Sequence, residues 1–241
     1  MANIHMLLQG KGGVGKSFVA ATIAQYKMSI GNAPLCIDTD PVNATFAGYQ
    51  RLEAKKLQIM DGDEINPRHF DTLIEWIATA EGDVVIDNGA SSFVPLSHYL
   101  ISNQVPALLA EMNHTLVIHT VITGGQALLD TVSGFSQLAK QLPAETLFVV
   151  WLNPYWGPIE HDGKDFEMMK AYLANKPRVS AIIRIPNLKQ ETYGRDLSEM
   201  LQARLTFDEA LATTTRTIMT RQRLKIVQRQ LFTQLDTATV L

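Results

Sequence analysis

The sequence predicts one three-layer α/β domain over residues 1–241: a doubly wound, mostly parallel β-sheet with helices on both faces. Three observations predict it. Short apolar runs alternate with longer stretches whose apolar residues recur at helical spacing, the pattern of strands joined by crossover helices. Most of those short runs are apolar throughout, as strands covered on both faces are. The first is followed by Gly10-Lys11-Gly12-Gly13-Val14-Gly15-Lys16-Ser17, which fits the phosphate-cradling pattern G-x-x-x-x-G-K-[ST] at every fixed position. No repeat, low-complexity segment or linker divides the chain.

The elements follow in order. Ile4–Leu8 reads as a buried strand, and Phe18–Ile30 as a helix with Val19, Ala20, Ile23, Ala24 and Met28 on its inner face. Gly31 stops that helix and Pro34 bars its continuation. Leu35-Cys36-Ile37 is a short strand ending in Asp38-Thr39-Asp40-Pro41. Phe46–Lys56 has helical character, Leu57–Met60 is a short strand, and Asp61–Glu64 is a solvated acidic turn. A helix opens at Asn66-Pro67 and runs to about Ala80, burying Phe70, Leu73, Ile74 and Ile77, with Trp76 in core or interface. Asp83–Asp87 is a strand, Pro95–Met112 mostly helix, and Thr115–Ile122 a central strand closed by Gly124-Gly125. Gln126–Leu142 is a helix with Leu128, Leu129, Val132, Phe135 and Leu138 inward. Leu147–Leu152 is a buried strand that leaves through Asn153-Pro154, and Tyr155–Lys164 is a longer loop, a nucleobase lid or a partner surface. Val179–Ile185 is the last strand, ending at Pro186-Asn187-Leu188. From Asp208 the chain is helical in one or two pieces, with Leu224, Val227, Leu231 and Leu235 on one face.

The glycine loop carries the chemistry. A strand, a glycine turn and a helix N-terminus form an anion site, because free N–H groups and the helix dipole both face the ligand. Lys16 is placed to reach the β- and γ-phosphates and Ser17 to ligate Mg²⁺, with Phe18 next along the helix. Asp87, at the end of an apolar run, is the aspartate expected near that ion. Asp38 and Asp40 leave a strand beside the same loop, where they meet a magnesium nucleotide or merely cap a turn. Asn153 suits a purine edge, since its amide both donates and accepts, or is a turn asparagine before proline.

Composition excludes several classes. With 46% hydrophobic and 19% charged residues and a formal net charge of -3, the chain has a core-forming composition and no global pull toward nucleic acid or anionic lipid. The single cysteine, Cys36, excludes an internal disulfide framework and fits a reducing compartment. No apolar run reaches the ~20 residues of a membrane span and the start lacks signal-peptide character, so the expected location is cytoplasmic. The six histidines show no metal-ligand spacing, and no G-x-S-x-G supports a serine hydrolase. Asn175-Lys176-Pro177-Arg178 puts arginine where a guanine-reading aspartate is required, which favours ATP.

Lys11, the second lysine of Lys11-Gly12-Gly13-Val14-Gly15-Lys16-Ser17, adds a resemblance. The loop is similar to the deviant Walker A loop of the ParA/MinD-like ATPases, strongly over the first 90 residues and in the right order to about residue 200. The resemblance implies a P-loop NTPase fold, ATP and Mg²⁺ as cofactors, and an ATP-bound homodimer in which Lys11 of each protomer reaches the other's nucleotide. Asp38-Thr39-Asp40-Pro41 matches the family's switch motif, which gives Asp40 the attacking water and Asp38 the magnesium shell. Here Val42-Asn43 stands where the family's glutamine usually follows. Asn88-Gly89-Ala90-Ser91-Ser92 matches a second switch without its prolines. Asn153, Pro186 and Asn187 correspond to adenine contacts. The related nitrogenase iron protein needs two cluster cysteines and is excluded. Asn66–Leu100, above all Val85–Phe93, resembles the plasmid conjugal-transfer branch, which implies a slow switch ATPase with a protein partner in that machinery.

Other readings stay open from the residues. A P-loop enzyme of small-molecule metabolism and a non-hydrolysing nucleotide-binding adaptor use the same loop. Arg216, Arg221, Arg223, Lys225 and Arg229 make a basic C-terminal stretch that is a solvated helix face, a DNA or partner surface, or, least suited by its composition, a membrane helix.

Overall fold

In the computed structural model, which describes residues 2–241, strands and crossover helices follow one another along the chain. They are β1 (Asn3–Leu7), α1 (Lys16–Ser29), β2 (Leu35–Asp38), β3 (Lys55–Lys56), β4 (Met60–Asp61), β5 (Glu64–Ile65), α2 (Phe70–Ala78) and β6 (Val84–Asp87). Then come α3 (Phe93–Ser102), α4 (Val105–Glu111), β7 (Thr115–Thr123), α5 (Leu128–Gln141), β8 (Leu147–Asn153), β9 (Glu160–His161) and β10 (Lys164–Asp165). The chain ends with α6 (Lys170–Asn175), β11 (Val179–Arg184), α7 (Arg195–Gln202), α8 (Phe207–Ala212) and α9 (Ile218–Asp236).

The main sheet has seven strands in the order β11-β8-β7-β1-β6-β2-β3. All six pairings are parallel. Because strand side chains alternate between faces, β1 sends Ile4 and Met6 to one core and Leu7 to the other. The same split divides Val84 and Ile86 from Val85, and Phe148 and Val150 from Val149 and Trp151. Helices α2 to α6 cover the first face, and α1 with α7 to α9 cover the second. The three layers are therefore those the sequence predicts. β1 lies at the centre, and the chain extends the sheet on one side of it before crossing to the other. That is the switch point where open α/β sheets bind ligands.

Several elements differ from the sequence reading. Phe46–Lys56 is not a helix but two 3₁₀ turns, Phe46–Gly48 and Gln50–Leu52, followed by β3. The physical reason is legible: Phe46, Tyr49 and Leu52, all buried, stand three apart, which stacks them on a three-residue turn rather than a 3.6-residue one. The strand expected at Leu57–Met60 begins only at Met60, and the acidic turn is the tip of the β4–β5 hairpin. Pro95–Met112 is two helices, broken at Gln104, whose φ of 51° is left-handed. Leu129 points outward and is 54% exposed, because α5 starts at Leu128 and turns that position away from the sheet. The 155–164 loop folds partly into the β9–β10 hairpin. Trp76 packs against the core edge with the Lys55 ammonium 5.3 Å from its ring centroid. Among the described residues no helix is long and apolar enough to cross a membrane.

One ion pair is interior. Lys27 Nζ on α1 donates to Asp83 Oδ2 at 2.6 Å, and the lysine side chain is 2% exposed. Asn32 Nδ2 donates to the same oxygen, and the Asn3 backbone N–H donates to Asp83 Oδ1. Lys27→Ala leaves a buried carboxylate with its countercharge gone. It is expected to lower unfolding free energy by about 3–5 kcal/mol, read by urea denaturation. A loss under ~1 kcal/mol would mean the pair is solvated in solution.

Candidate nucleotide and magnesium site

The loop is built from its glycines. Gly13 (φ 71°) and Gly15 (φ 102°) take left-handed backbone that a β-carbon would strain. Gly15 occupies the N-cap of α1 with no side-chain cap, so the first amides of that helix are left for a ligand. Gln9 anchors the approach: it is 2% exposed, and its amide nitrogen donates to carbonyls of Val121 on β7 and Thr131 on α5. The loop also bonds to itself, Lys16 Nζ donating to the Lys11 carbonyl at 2.9 Å.

The aspartates meet beneath the loop. β2 and β6 pair so that Asp38 lies opposite Asp87. Asp38 is fully buried and spends its two oxygens on backbone, accepting from Asp40 N at 2.9 Å and Ala47 N at 2.8 Å. It thereby shapes the 38–47 segment. Asp40 Oδ1 accepts from Val42 N and Asn43 N, and Gly89 packs so closely that a β-carbon there would stand 2.6 Å from Asp40 Cγ. The 38–43 and 88–92 segments are thus in contact. Thr39 and Ser92 hydroxyls both donate to Asn88 Oδ1, which joins them further.

Asp87 is 1% exposed, and its Oδ1 has no hydrogen-bond partner among the described residues. Burial pushes its carboxyl up to about 7; the Ser17 hydroxyl opposes this, Asp38 adds to it, and Lys16 opposes while Asp40 adds smaller effects. Burial likewise lowers the Lys16 ammonium, against the pull of Asp87 and Asp40. A buried, unpartnered carboxylate oxygen beside a serine hydroxyl offers hard oxygens, the ligand type that Mg²⁺ takes.

Lys16, Ser17, Asp40, Gly12, Asn88 and Ser91 line one cleft of about 560 Å³. An adjoining, mostly apolar cavity of about 370 Å³ brings together Phe18, Asn153, Pro186 and Asn187, all expected from the sequence, with Leu197 and Leu201. A purine fits that description. Asn153 has a structural task as well: its Nδ2 donates to the Val14 carbonyl at 2.9 Å, and its Oδ1 accepts from Tyr155 N. The wall from the π-turn Gln190–Gly194 into α7 was missed by sequence reasoning, although Leu197, Met200 and Leu201 carry a helical signal.

Lys11 lies elsewhere. It does not line the cleft that Lys16, Ser17 and Asp40 share. Its Nζ pairs with Asp130 Oδ2 of α5 at 2.9 Å, in a neighbouring groove with Gln9 and Phe93, and both partners are exposed. Asp130 was not foreseen, since nothing in its local sequence marks it. At the other end of the chain, Leu224, Val227, Leu231 and Leu235 are buried as expected, and Arg223 turns inward to pair with Asp196. The basic stretch is therefore split: Lys225 and Arg229 stay outside.

No family model matches the chain. Two curated relatives from Escherichia coli, each called Protein TraL, are 76% and 77% identical over 241 residues, covering 100% of both chains. Among solved structures, the MinC:MinD cell division protein complex of Aquifex aeolicus matches with a TM-score of 0.55 at 13% identity, covering 96% of each chain. The septum site-determining protein MinD with Mg-ADP from Pyrococcus horikoshii matches with a TM-score of 0.55 at 14% identity, covering 98% of this chain and 97% of that one. At these identities the structural likeness is one of fold.

Proposed function

The chain belongs to the TraL family, and from that premise we propose that it is a dimeric, slowly hydrolysing switch ATPase acting in plasmid conjugative transfer. One observation carries the two-molecule part of the reading. Lys16, Ser17 and Asp40 face a common cleft, whereas Lys11, from the same loop, is held outside it by an exposed pair with Asp130. A lysine so placed is free to serve a second nucleotide, since an exposed ion pair is worth at most about 1 kcal/mol.

The roles follow from position. The loop amides and Lys16 bind the triphosphate, Lys16 exchanging the Lys11 carbonyl for phosphate oxygens. Ser17 and Asp87 would hold Mg²⁺, with Asp38 bracing the segment around them; the ion, when bound, supplies charge neutralisation at the phosphates. Asp40 orients water toward the γ-phosphate. Lys11 leaves Asp130 and neutralises charge across the dimer. Loss of the γ-phosphate frees the 38–43 and 87–92 segments, which touch through Gly89 and Asp40, and the dimer opens. A protein of the conjugation machinery would read the closed state, and the exposed Lys225 and Arg229 leave DNA as a further contact.

Lys11→Ala in an Asp40→Ala background, examined by analytical ultracentrifugation with ATP and Mg²⁺, is expected to stay monomeric while Asp40→Ala alone dimerises. Nucleotide affinity of the monomer should change less than about threefold, under 0.7 kcal/mol. Dimers that form regardless of Lys11 would sink the reading.

A further inference from the structure

Trp156 is 58% exposed and stands directly after the β8 exit. Its indole N–H donates to the Gly13 carbonyl at 3.3 Å, and it packs edge-to-face on Tyr155 with centroids 4.9 Å apart. Exposure usually means mobility, but the backbone here is clamped. A β-carbon at Gly124 would lie 2.1 Å from the Gly157 carbonyl oxygen, and one at Gly125 would lie 2.5 Å from that of Trp156. The β7 and β8 exits are thus pressed backbone to backbone. The Thr123 hydroxyl also donates to the Asn153 carbonyl.

Two consecutive loop carbonyls are therefore held from one side: Gly13 by Trp156 and Val14 by Asn153. A trans peptide is planar, with its C=O and N–H pointing in opposite directions, and the described chain has no cis bond. Fixing the Gly13 carbonyl outward fixes the Val14 N–H the other way, and fixing the Val14 carbonyl does the same for the Gly15 N–H. Gly13 and Gly15, on either side of Val14, both line the candidate cleft, and successive loop amides are the groups with which such a turn cradles an anion. We infer that Trp156, together with Asn153, is a positioning residue that sets the phosphate-loop peptides before a ligand arrives. The inference rests on the nucleotide-binding reading and deepens it. What Trp156 serves is the polyphosphate chain, not the base.

The test is calorimetric titration of wild type, Trp156→Phe and Lys16→Ala with Mg-ADP and with magnesium tripolyphosphate. Phenylalanine keeps an aromatic ring against Tyr155 and removes the N–H donor. Wild type is expected to bind both ligands and Lys16→Ala neither. Trp156→Phe should bind both about threefold to tenfold more weakly, the worth of one hydrogen bond, by the same factor for each, with the ligand-free melting temperature unchanged. Equal affinity of Trp156→Phe and wild type would overturn the inference, as would a loss confined to ADP, which would mark a base contact. If wild type bound neither ligand, the nucleotide reading itself would fall, and the inference with it.

Discussion

With magnesium withheld by chelator, Asp87→Asn is expected to be more stable than the wild type at pH 8. The reason is the environment of one oxygen. Asp87 is buried, its Oδ1 has no partner, and Asp38 and Asp40 stand close by. Its carboxyl is pushed up to about 7 from 3.8. A carboxyl with a raised folded pKa keeps its full contribution below 3.8 and loses it as pH climbs through 7. At roughly 1.4 kcal/mol per unit the ceiling is on the order of 4 kcal/mol. Asparagine has no charge to bury, so its advantage should grow from pH 4 to 8 and level off. With magnesium present the same variant is expected to bind ADP at least about tenfold more weakly, as when a group supporting a metal is removed. Scanning calorimetry across pH, with chelator, and titration with Mg-ADP read the two halves. A variant less stable than wild type at pH 8 would show that the buried carboxylate is stabilised by something other than a metal.

That opposition explains which parts of the site were legible. Residues proposed for local chemistry announce themselves: Gly13, Gly15, Lys16 and Ser17 by position in the loop pattern, Asp38 and Asp87 by ending apolar runs. The parallel sheet was legible for the same reason, since strands buried on two faces are apolar throughout. What stayed hidden depends on distant partners. Asp130 holds Lys11 across 119 positions, and Trp156 reaches Gly13 across 143. No periodicity encodes such pairs. A middle case is Phe46, Tyr49 and Leu52: in so short a stretch, a three-residue spacing does not separate two 3₁₀ turns from the helical character that Phe46–Lys56 shows.

A second pH dependence of opposite sign lies in the core beneath the sheet. Trp151 Nε1 donates to His119 Nδ1 at 3.0 Å, and His119 Nε2 lies 3.0 Å from His5 Nδ1. Indole is only a donor, so a neutral His119 must carry its proton on Nε2 and give it to His5 Nδ1. His5 then bears its own proton on Nε2, a buried group without a partner among the described residues. A second proton on either ring has nowhere to go. Burial, with the nearby Lys27 ammonium, lowers His5 from 6.5 to about 3, and burial with the neighbouring His5 lowers His119 well below its ordinary value. The unfolded chain takes up these protons near pH 6.5 and the folded one does not. Stability is therefore full well above 6.5 and falls with acid, approaching about 1.4 kcal/mol per pH unit for each ring below it. Between pH 6.5 and 5 the two rings together should remove about 3 kcal/mol. Asp87 gains in that same window and cancels part of the loss, so the wild type should show a shallow slope. Asp87→Asn should expose the full two-proton slope, and His5→Leu in that background should reduce it to one. Urea midpoints from pH 7 to 5 test this. If the slope in Asp87→Asn were no steeper than in wild type, either Asp87 would not be protonated in the folded state or the histidines would not be held neutral. The His5→Leu slope tells these apart: unchanged from its parent, it places the error in the histidines.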